Sequence, residues 1–135
     1  MIVNVLLRNL EFYKKISNLN FIKNETINRR IGLGIFKWVV TNTFFKYFNQ
    51  KLKLKNKIEI TDLNALSSEM TFSEISHLIG FAFVNIFILM KLINGNFLFA
   101  LIFMTVNILM NLYPSLLQQE NKRRIDLLKK RFKQL

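Results

Sequence analysis

Two apolar stretches separated by three polar residues dominate the pattern of this chain. The first covers residues 75–93 and the second covers residues 97–113, and only Asn94, Gly95 and Asn96 lie between them. As an α-helix that rises about 1.5 Å per residue, the first stretch would be roughly 28 Å long, which is close to the thickness of the hydrocarbon core of a bilayer. The pattern therefore predicts a transmembrane helical hairpin.

Two core helices of a soluble protein are the alternative interpretation of this pattern. They would need a core large enough to cover apolar side chains on nearly every helix face, including Phe81, Phe83, Phe87, Phe97, Phe99 and Phe103. The rest of the 135-residue chain is too short and too basic to supply such a core. We therefore favour the membrane.

The segments on either side of the hairpin have helical periodicity. In residues 31–53 a polar stripe faces an apolar one, and Gly32, Gly34 and Lys37 argue against a continuous membrane span. We expect an in-plane amphipathic helix with Trp38 in the headgroup region, or else a helix packed on a soluble partner domain. Residues 114–135 predict a basic amphipathic helix along the membrane surface, with an apolar stripe of Ile125, Leu128, Phe132 and Leu135.

The expected fold is an all-α membrane protein, in which a two-helix transmembrane hairpin (residues 72–113) is flanked by amphipathic interfacial helices. Residues 1–71 are expected to form a basic cytoplasmic or interfacial region that precedes the hairpin. Thr71 and Glu74 have the spacing of a capping box, which predicts that the first membrane helix starts near Phe72. Pro114 is expected to break or bend the second helix where it leaves the bilayer. A small β-hairpin is possible around residues 52–60.

Charge predicts the orientation of the hairpin. The chain carries 20 Lys and Arg against 8 Asp and Glu, a formal net charge of +12. Twelve of the cations precede residue 58 and seven follow Pro114, while only Lys91 lies near the turn. The positive-inside rule then places both termini in the cytoplasm. We expect anionic lipids of the inner leaflet, rather than nucleic acid, to be the partner of this charge.

Composition limits the kinds of site that we expect and indicates the kind of organism that encodes the chain. The chain has no Cys and one His, so we expect neither a metal site nor a bound cofactor. The abundance of Lys, Asn, Ile and Phe is typical of an A/T-rich genome. We therefore predict a multi-pass protein of a bacterial cytoplasmic (inner) membrane.

Polar side chains inside the hairpin form a column, because residues equally far from Gly95 lie at equal depth. This places Asn85 at the level of Asn107, and His77 at the level of Asn111. These four side chains are called the polar column below. Polar groups in hydrocarbon need partners, so the asparagines are either interhelical contacts or parts of a site.

The second helix extends the column if it continues past Pro114, since Asn107, Asn111 and Gln118 would then share one face. Two helices alone leave the column open on one side. We therefore expect a homo-oligomer or other membrane subunits to cover it.

His77 is the candidate for chemistry. It lies about one turn below the cytoplasmic surface, where a neutral imidazole can meet water and act as a general base. Glu74, one turn away, either orients the ring or caps the helix. The alternative is an interfacial histidine whose hydrogen bonds are merely satisfied.

The segment after the second apolar stretch resembles the signature of small membrane proteins related to glycosyl-4,4'-diaponeurosporenoate acyltransferase. That signature is similar to Asn-x-Tyr-Pro-x-x-Leu-Gln-Arg-Tyr-Asn-Arg-x-Arg, preceded by an Asn and by Glu-x-x-His. The matching residues are Glu74, His77, Asn107, Asn111, Tyr113, Pro114, Leu117, Gln118, Asn121 and Arg124. The chain departs from it at Gln119, Glu120 and Lys122, and two of these departures replace arginines that can clamp a phosphate.

The resemblance implies transfer of a fatty acyl group to a sugar hydroxyl on a lipid, with acyl-coenzyme A or another acyl donor as co-substrate. His77 would take the proton from the hydroxyl and Glu74 would orient the ring, while Asn107 or Asn111 would donate to the developing oxyanion. The expected substrate-binding residues are Tyr113, Gln118, Asn121, Arg123 and Arg124. The competing hypothesis is a non-catalytic small subunit of a larger membrane complex, because two helices cannot enclose a lipid substrate by themselves.

Overall fold

The computed structural model describes residues 5–6, 13, 25–42 and 60–132. The regular structure of these residues is helical throughout, which confirms the predicted all-α class. The elements are α1 (Glu25–Arg30), α2 (Leu33–Asn42), α3 (Ile60–Ile93), α4 (Phe97–Asn107), a π-helical turn (Ile108–Leu112) and α5 (Tyr113–Phe132). Helix α3 pairs with the run of α4, the π turn and α5, so the core of the fold is a long antiparallel hairpin.

The turn of the hairpin lies where the apolar pattern placed it. Gly95 has φ = 71°, a left-handed conformation that glycine adopts at no steric cost. Its N–H donates to the carbonyl of Leu92 at 3.0 Å, and the N–H of Asn96 donates to the carbonyl of Lys91 at 2.9 Å. These two bonds are the Schellman pattern that closes a helix C-terminus. The polar residues 94–96 thus satisfy the last carbonyls of α3 and reverse the chain.

Both arms of the hairpin are long and apolar enough to cross a membrane. Only 11% of the most apolar window of each arm is buried within the chain. The exposed apolar side chains cover much of the hairpin and include Phe83, Phe87, Leu89, Phe97, Phe99, Leu101 and Phe103. Such a surface is what a transmembrane hairpin presents to lipid and what a soluble core helix would hide.

Helix α3 starts earlier than its sequence suggested. It has 34 residues and is therefore about 51 Å long, roughly 20 Å more than a hydrocarbon core. The predicted start near Phe72 is wrong, since Thr71 lies inside the helix and its hydroxyl donates to the carbonyl of Ser67 at 2.9 Å. The hairpin therefore continues as a helical pair beyond the apolar stretches.

Helix α5 supplies the other half of that continuation. Ile125 is buried in a cluster with Leu63 and Leu66 of α3, and Met70 packs against the cluster. We predicted that this basic helix lies along the membrane surface, but the structure packs one of its faces on α3. Of the predicted apolar stripe, Ile125 is buried, whereas Leu128 and Phe132 are exposed and residue 135 lies outside the described residues.

Helix α2 packs at the start of α5, and α1 packs against α2. Leu33 is buried with Leu116 and Leu117, and the Tyr113 hydroxyl donates to the carbonyl of Ile31 at 2.5 Å. The ring of Tyr113 also lies 5.2 Å from that of Phe36. These contacts fix α2 beside the hairpin.

Only part of the predicted amphipathic helix 31–53 is described. Helix α2 ends at Asn42, and Trp38 is exposed on its surface. Residues 43–59 lie outside the described part of the chain, with most of the predicted polar stripe and most of the predicted β-hairpin. Ile60, the last residue of that predicted β-hairpin, is the first residue of α3.

Pro114 does not end the second arm. The irregularity lies one turn earlier, in the π turn, where the N–H of Tyr113 bonds to the carbonyl of Ile108, five residues back. A π turn holds one residue more than an α turn, so it rotates everything that follows. Gln119 instead of Gln118 therefore continues the face of Asn107 and Asn111, and only Gln119 is fully buried.

Candidate functional site

The asparagines of the polar column form a hydrogen-bonded network that links the two arms at the Phe81 carbonyl. The amide of Asn107 donates to the carbonyl of Phe81 at 3.0 Å, and the amide of Asn85 donates to the same carbonyl at 2.9 Å. Asn111 in turn donates to the side-chain oxygen of Asn107 at 2.8 Å. Asn107 is 1% exposed, so these bonds lie in a low-dielectric interior and fix the orientation of the Asn111 amide.

This network changes the argument for an oligomer. The amides of the column find partners within one hairpin, so they do not by themselves require a second chain to cover them. The expected oligomer or partner subunit stays a prediction.

Gly80 makes the close approach of Asn111 possible. A Cβ built on Gly80 would lie 2.8 Å from Oδ1 of Asn111 and 3.4 Å from its Cγ. The side chain of Asn111 thus occupies the space that any other residue at position 80 would fill. Gly80 was not among the predicted site residues, although a signal was present: it is the single glycine of α3, and it lies at nearly the same distance from Gly95 as Asn111 does.

His77 lies on α3 one turn from Gly80, half-buried, and faces two acceptors. It hydrogen-bonds the side chain of Asn111 and the backbone of Met110. Pro114 explains why the Met110 carbonyl is available, because an α-helical bond to that carbonyl would come from the N–H that proline lacks. A neutral imidazole has one N–H and one lone pair, and an accepting oxygen favours the N–H on the nitrogen that faces it. Asn111 is thus the residue that orients His77.

Glu74 does not orient His77 in this structure. Its side chain is fully buried between α3 and α5, where Oε1 accepts a hydrogen bond from the amide of Gln119 at 2.8 Å and Oε2 forms an ion pair with Lys122. Nor does it cap the start of α3, which lies at Ile60. Gln119 and Lys122 are two of the three departures from the signature, and both contact this carboxylate. Glu74, Gln119 and Lys122 are called the Glu74 cluster below.

The expected substrate-binding residues are distributed unevenly. Tyr113 is committed to the carbonyl of Ile31, as described above. Arg124 is exposed and paired with Glu120 on its own helix. The remaining three, Gln118, Asn121 and Arg123, are half-buried on α5. Among the residues that the structure describes, no group of His and acidic side chains is arranged to hold a metal ion.

The arrangement supports proton transfer at one position. His77, Asn111 and Asn107 come together as predicted from their depth, while Glu74 joins α5 one turn away. His77 is about 24 Å from the end of α3 at Ile93, by helical rise, and therefore lies near the end of a hydrocarbon core that begins at the turn. An oriented imidazole at that boundary can serve as a base for a hydroxyl group at the membrane surface.

Comparison with known proteins identifies a family that matches most of the chain. A family model described as glycosyl-4,4'-diaponeurosporenoate acyltransferase matches residues 9–131. The match covers α1 to α4, the π turn and all of α5 except its last residue. It includes every residue of the candidate site. No curated protein and no solved structure gives a significant match.

Proposed function

The chain belongs to the glycosyl-4,4'-diaponeurosporenoate acyltransferase family, and from this premise we propose that it transfers a fatty acyl group to a hydroxyl of a glycolipid or another lipid-linked acceptor. The reaction would take place at the cytoplasmic face of a bacterial inner membrane. The observation that carries the proposal is His77, oriented by Asn111 and by the Met110 carbonyl at the boundary of the apolar hairpin. The family match supports an acyltransferase-like role in general, and the acceptor is part of the proposal.

The proposed mechanism is direct transfer. The acceptor oxygen attacks the acyl carbonyl carbon of a thioester such as acyl-coenzyme A, forming a C–O bond as His77 takes the hydroxyl proton. The C–S bond then breaks, and the proton passes from His77 to the departing thiolate. The second N–H of the Asn107 or Asn111 amide is the proposed donor to the oxyanion. Asn111 would in addition hold the ring of His77 in place.

Basic residues are proposed to attract the two charged partners of the reaction. Arg123 and Arg124 follow the Glu74 cluster and would bind the anionic part of the acyl donor, with Gln118 and Asn121 beside them. Anionic lipids would hold the remaining positive charge of α5 at the inner leaflet. A homo-oligomer or further membrane subunits would complete the cover of the acceptor, which two helices cannot enclose.

A transfer assay tests the proposed function. The purified protein is reconstituted into vesicles that contain glycosyl-4,4'-diaponeurosporenoate, and radiolabelled palmitoyl-coenzyme A is added outside. We expect label in the lipid extract that increases with time and with protein. Vesicles that contain phosphatidylglycerol alone serve as the control for non-specific acylation. Absence of labelled lipid, with a correctly folded protein and a range of glycolipid acceptors, would favour the non-catalytic subunit.

The orientation is tested by accessibility. Because the chain has no Cys, single variants Asn96→Cys at the turn and Ser68→Cys on exposed α3 each give one reactive thiol. In intact spheroplasts we expect a membrane-impermeant maleimide to label the Asn96→Cys variant and to leave the Ser68→Cys variant unlabelled until the membrane is opened. The reverse pattern would overturn the proposed cytoplasmic termini and the cytoplasmic donor.

A further inference from the structure

The Glu74 cluster holds a charged group in an unusual place. The side chain of Glu74 is 0% exposed and that of Lys122 is 12% exposed, and the two belong to different arms of the hairpin. Gln119 supplies a second bond from α5 to the same carboxylate. A buried ion pair is weak evidence for stability as such, but removal of one partner leaves an uncompensated charge and is costly. Such a pair therefore penalises any arrangement of the two helices that separates the carboxylate from the ammonium group.

The cluster fixes the rotation of α5 about its own axis. Gln119 and Lys122 are three residues apart and so lie on one face of the helix, which the carboxylate holds against α3. The π turn has already set this rotation, because it brings Gln119 instead of Gln118 to that face. Arg123 follows Lys122 by about 100° around the helix, so its direction depends on the same rotation.

We infer that Glu74 is a positioning residue that acts on α5 and not on His77: through Gln119 and Lys122 it holds Arg123 and Arg124 where they bind the anionic group of the acyl donor. The inference rests on the proposed function. It removes Glu74 from the set of residues that orient the base and assigns positioning roles to Gln119 and Lys122. Glu74 and His77 are neighbours on one helix, but each side chain has its partners on the opposite arm: Gln119 and Lys122 for Glu74, and Asn111 and Met110 for His77.

A double-mutant cycle distinguishes a role of Glu74 in positioning α5 from a role in orienting His77. Glu74→Gln keeps an acceptor for Gln119 but leaves the Lys122 ammonium group without its counter-charge. Lys122→Met leaves the Glu74 carboxylate unpaired. The double variant Glu74→Gln/Lys122→Met removes both charges, keeps the amide pair and has similar volume, so it is the matched control for the loss of charge alone.

The assay is the transfer of radiolabelled palmitoyl-coenzyme A, with kcat, KM for the donor, the pH profile of kcat and the midpoint of thermal unfolding as readouts. We expect each single variant to raise the donor KM by about tenfold and to lower the unfolding midpoint. The double variant should recover most of both losses. The pH profile of kcat should stay unchanged in all three, because the partners of His77 are untouched.

Two results would overturn the inference. One is a shifted pH profile or a lowered kcat in Glu74→Gln that the double variant does not recover, since this would mean that Glu74 acts on His77. The other is a double variant that unfolds as early as the single variants, which would mean that the charges are not coupled. The midpoint of thermal unfolding does not depend on activity. A wild-type protein without transfer activity would therefore contradict the proposed function, while the coupling of Glu74 with Lys122 would still be measured.

Discussion

Replacing His77 with glutamine is expected to lower the rate of acyl transfer by about two to four orders of magnitude, which is the usual contribution of a general base. Glutamine retains an N–H donor for Asn111 and the Met110 carbonyl, so the side chain can keep its place in the structure. It has no lone pair of suitable basicity for the acceptor hydroxyl. The measurement is labelled palmitate in glycolipid, normalised to the amount of protein extracted from the membrane.

Asn85→Leu is the matched control for His77→Gln. Asn85 lies two turns deeper on α3, and its amide bonds only to the Phe81 carbonyl of its own helix. We expect a stability change between a fraction of a kcal/mol and about 1 kcal/mol, with near-normal transfer. Unchanged transfer by the His77 variant would remove the proposed mechanism, and an equal loss in both variants would show that the assay follows packing and not chemistry.

Gly80→Ala should have the second large effect. It adds a methyl group to a filled space, whereas His77→Gln removes a functional group. One added methyl group would meet Oδ1 of Asn111 at 2.8 Å, closer than real Cβ contacts allow. Asn111 cannot simply rotate away, because it is bonded to Asn107 and to His77. We expect a loss of about 1–3 kcal/mol of stability, which is typical of overpacking, together with a marked loss of transfer because His77 loses its orienting partner. Thermal unfolding in detergent and the transfer assay measure the two effects.

Gly34→Ala is the control for the glycine substitution. Gly34 lies in α2, and a Cβ built there has no heavy atom within 4 Å. Alanine should be neutral or stabilise the protein by up to about 1 kcal/mol, since it is the better helix former. If Gly80→Ala behaved like Gly34→Ala in both assays, the close approach of Asn111 would have no role in holding the site.

The apolar pattern predicted the parts of the fold that depend on periodicity and length. Residues 94–96 form the turn, and the rule of equal distance from Gly95 brought His77 to Asn111 across the hairpin. This worked because an antiparallel helix pair keeps a constant register from a short turn outward. The polar column was therefore recognisable from the sequence alone, although its hydrogen-bond donors and acceptors were not.

Other features were beyond the pattern, each for a physical reason. The start of α3 was placed late because Thr71 and Glu74 imitate a capping box, whereas tertiary contacts of Leu63 and Leu66 with Ile125 extend the helix. The role of Glu74 was assigned by proximity along the chain, yet its partners come from the opposite arm. Sequence spacing cannot reveal such partners when a π turn has changed the rotation of the second helix.

The π turn also has a consequence for how relatives of this chain should be aligned. An extra residue within 108–112 has the geometric effect of a single-residue insertion into a continuous helix. A homologue that lacks the insertion would reach the equivalent of Pro114 one position earlier, and its inward-facing residue would then occupy the column of Gln118. Aligning such chains without a one-residue gap would compare side chains that face in different directions. A gap placed between Asn107 and Tyr113 would restore the correspondence on both sides of it.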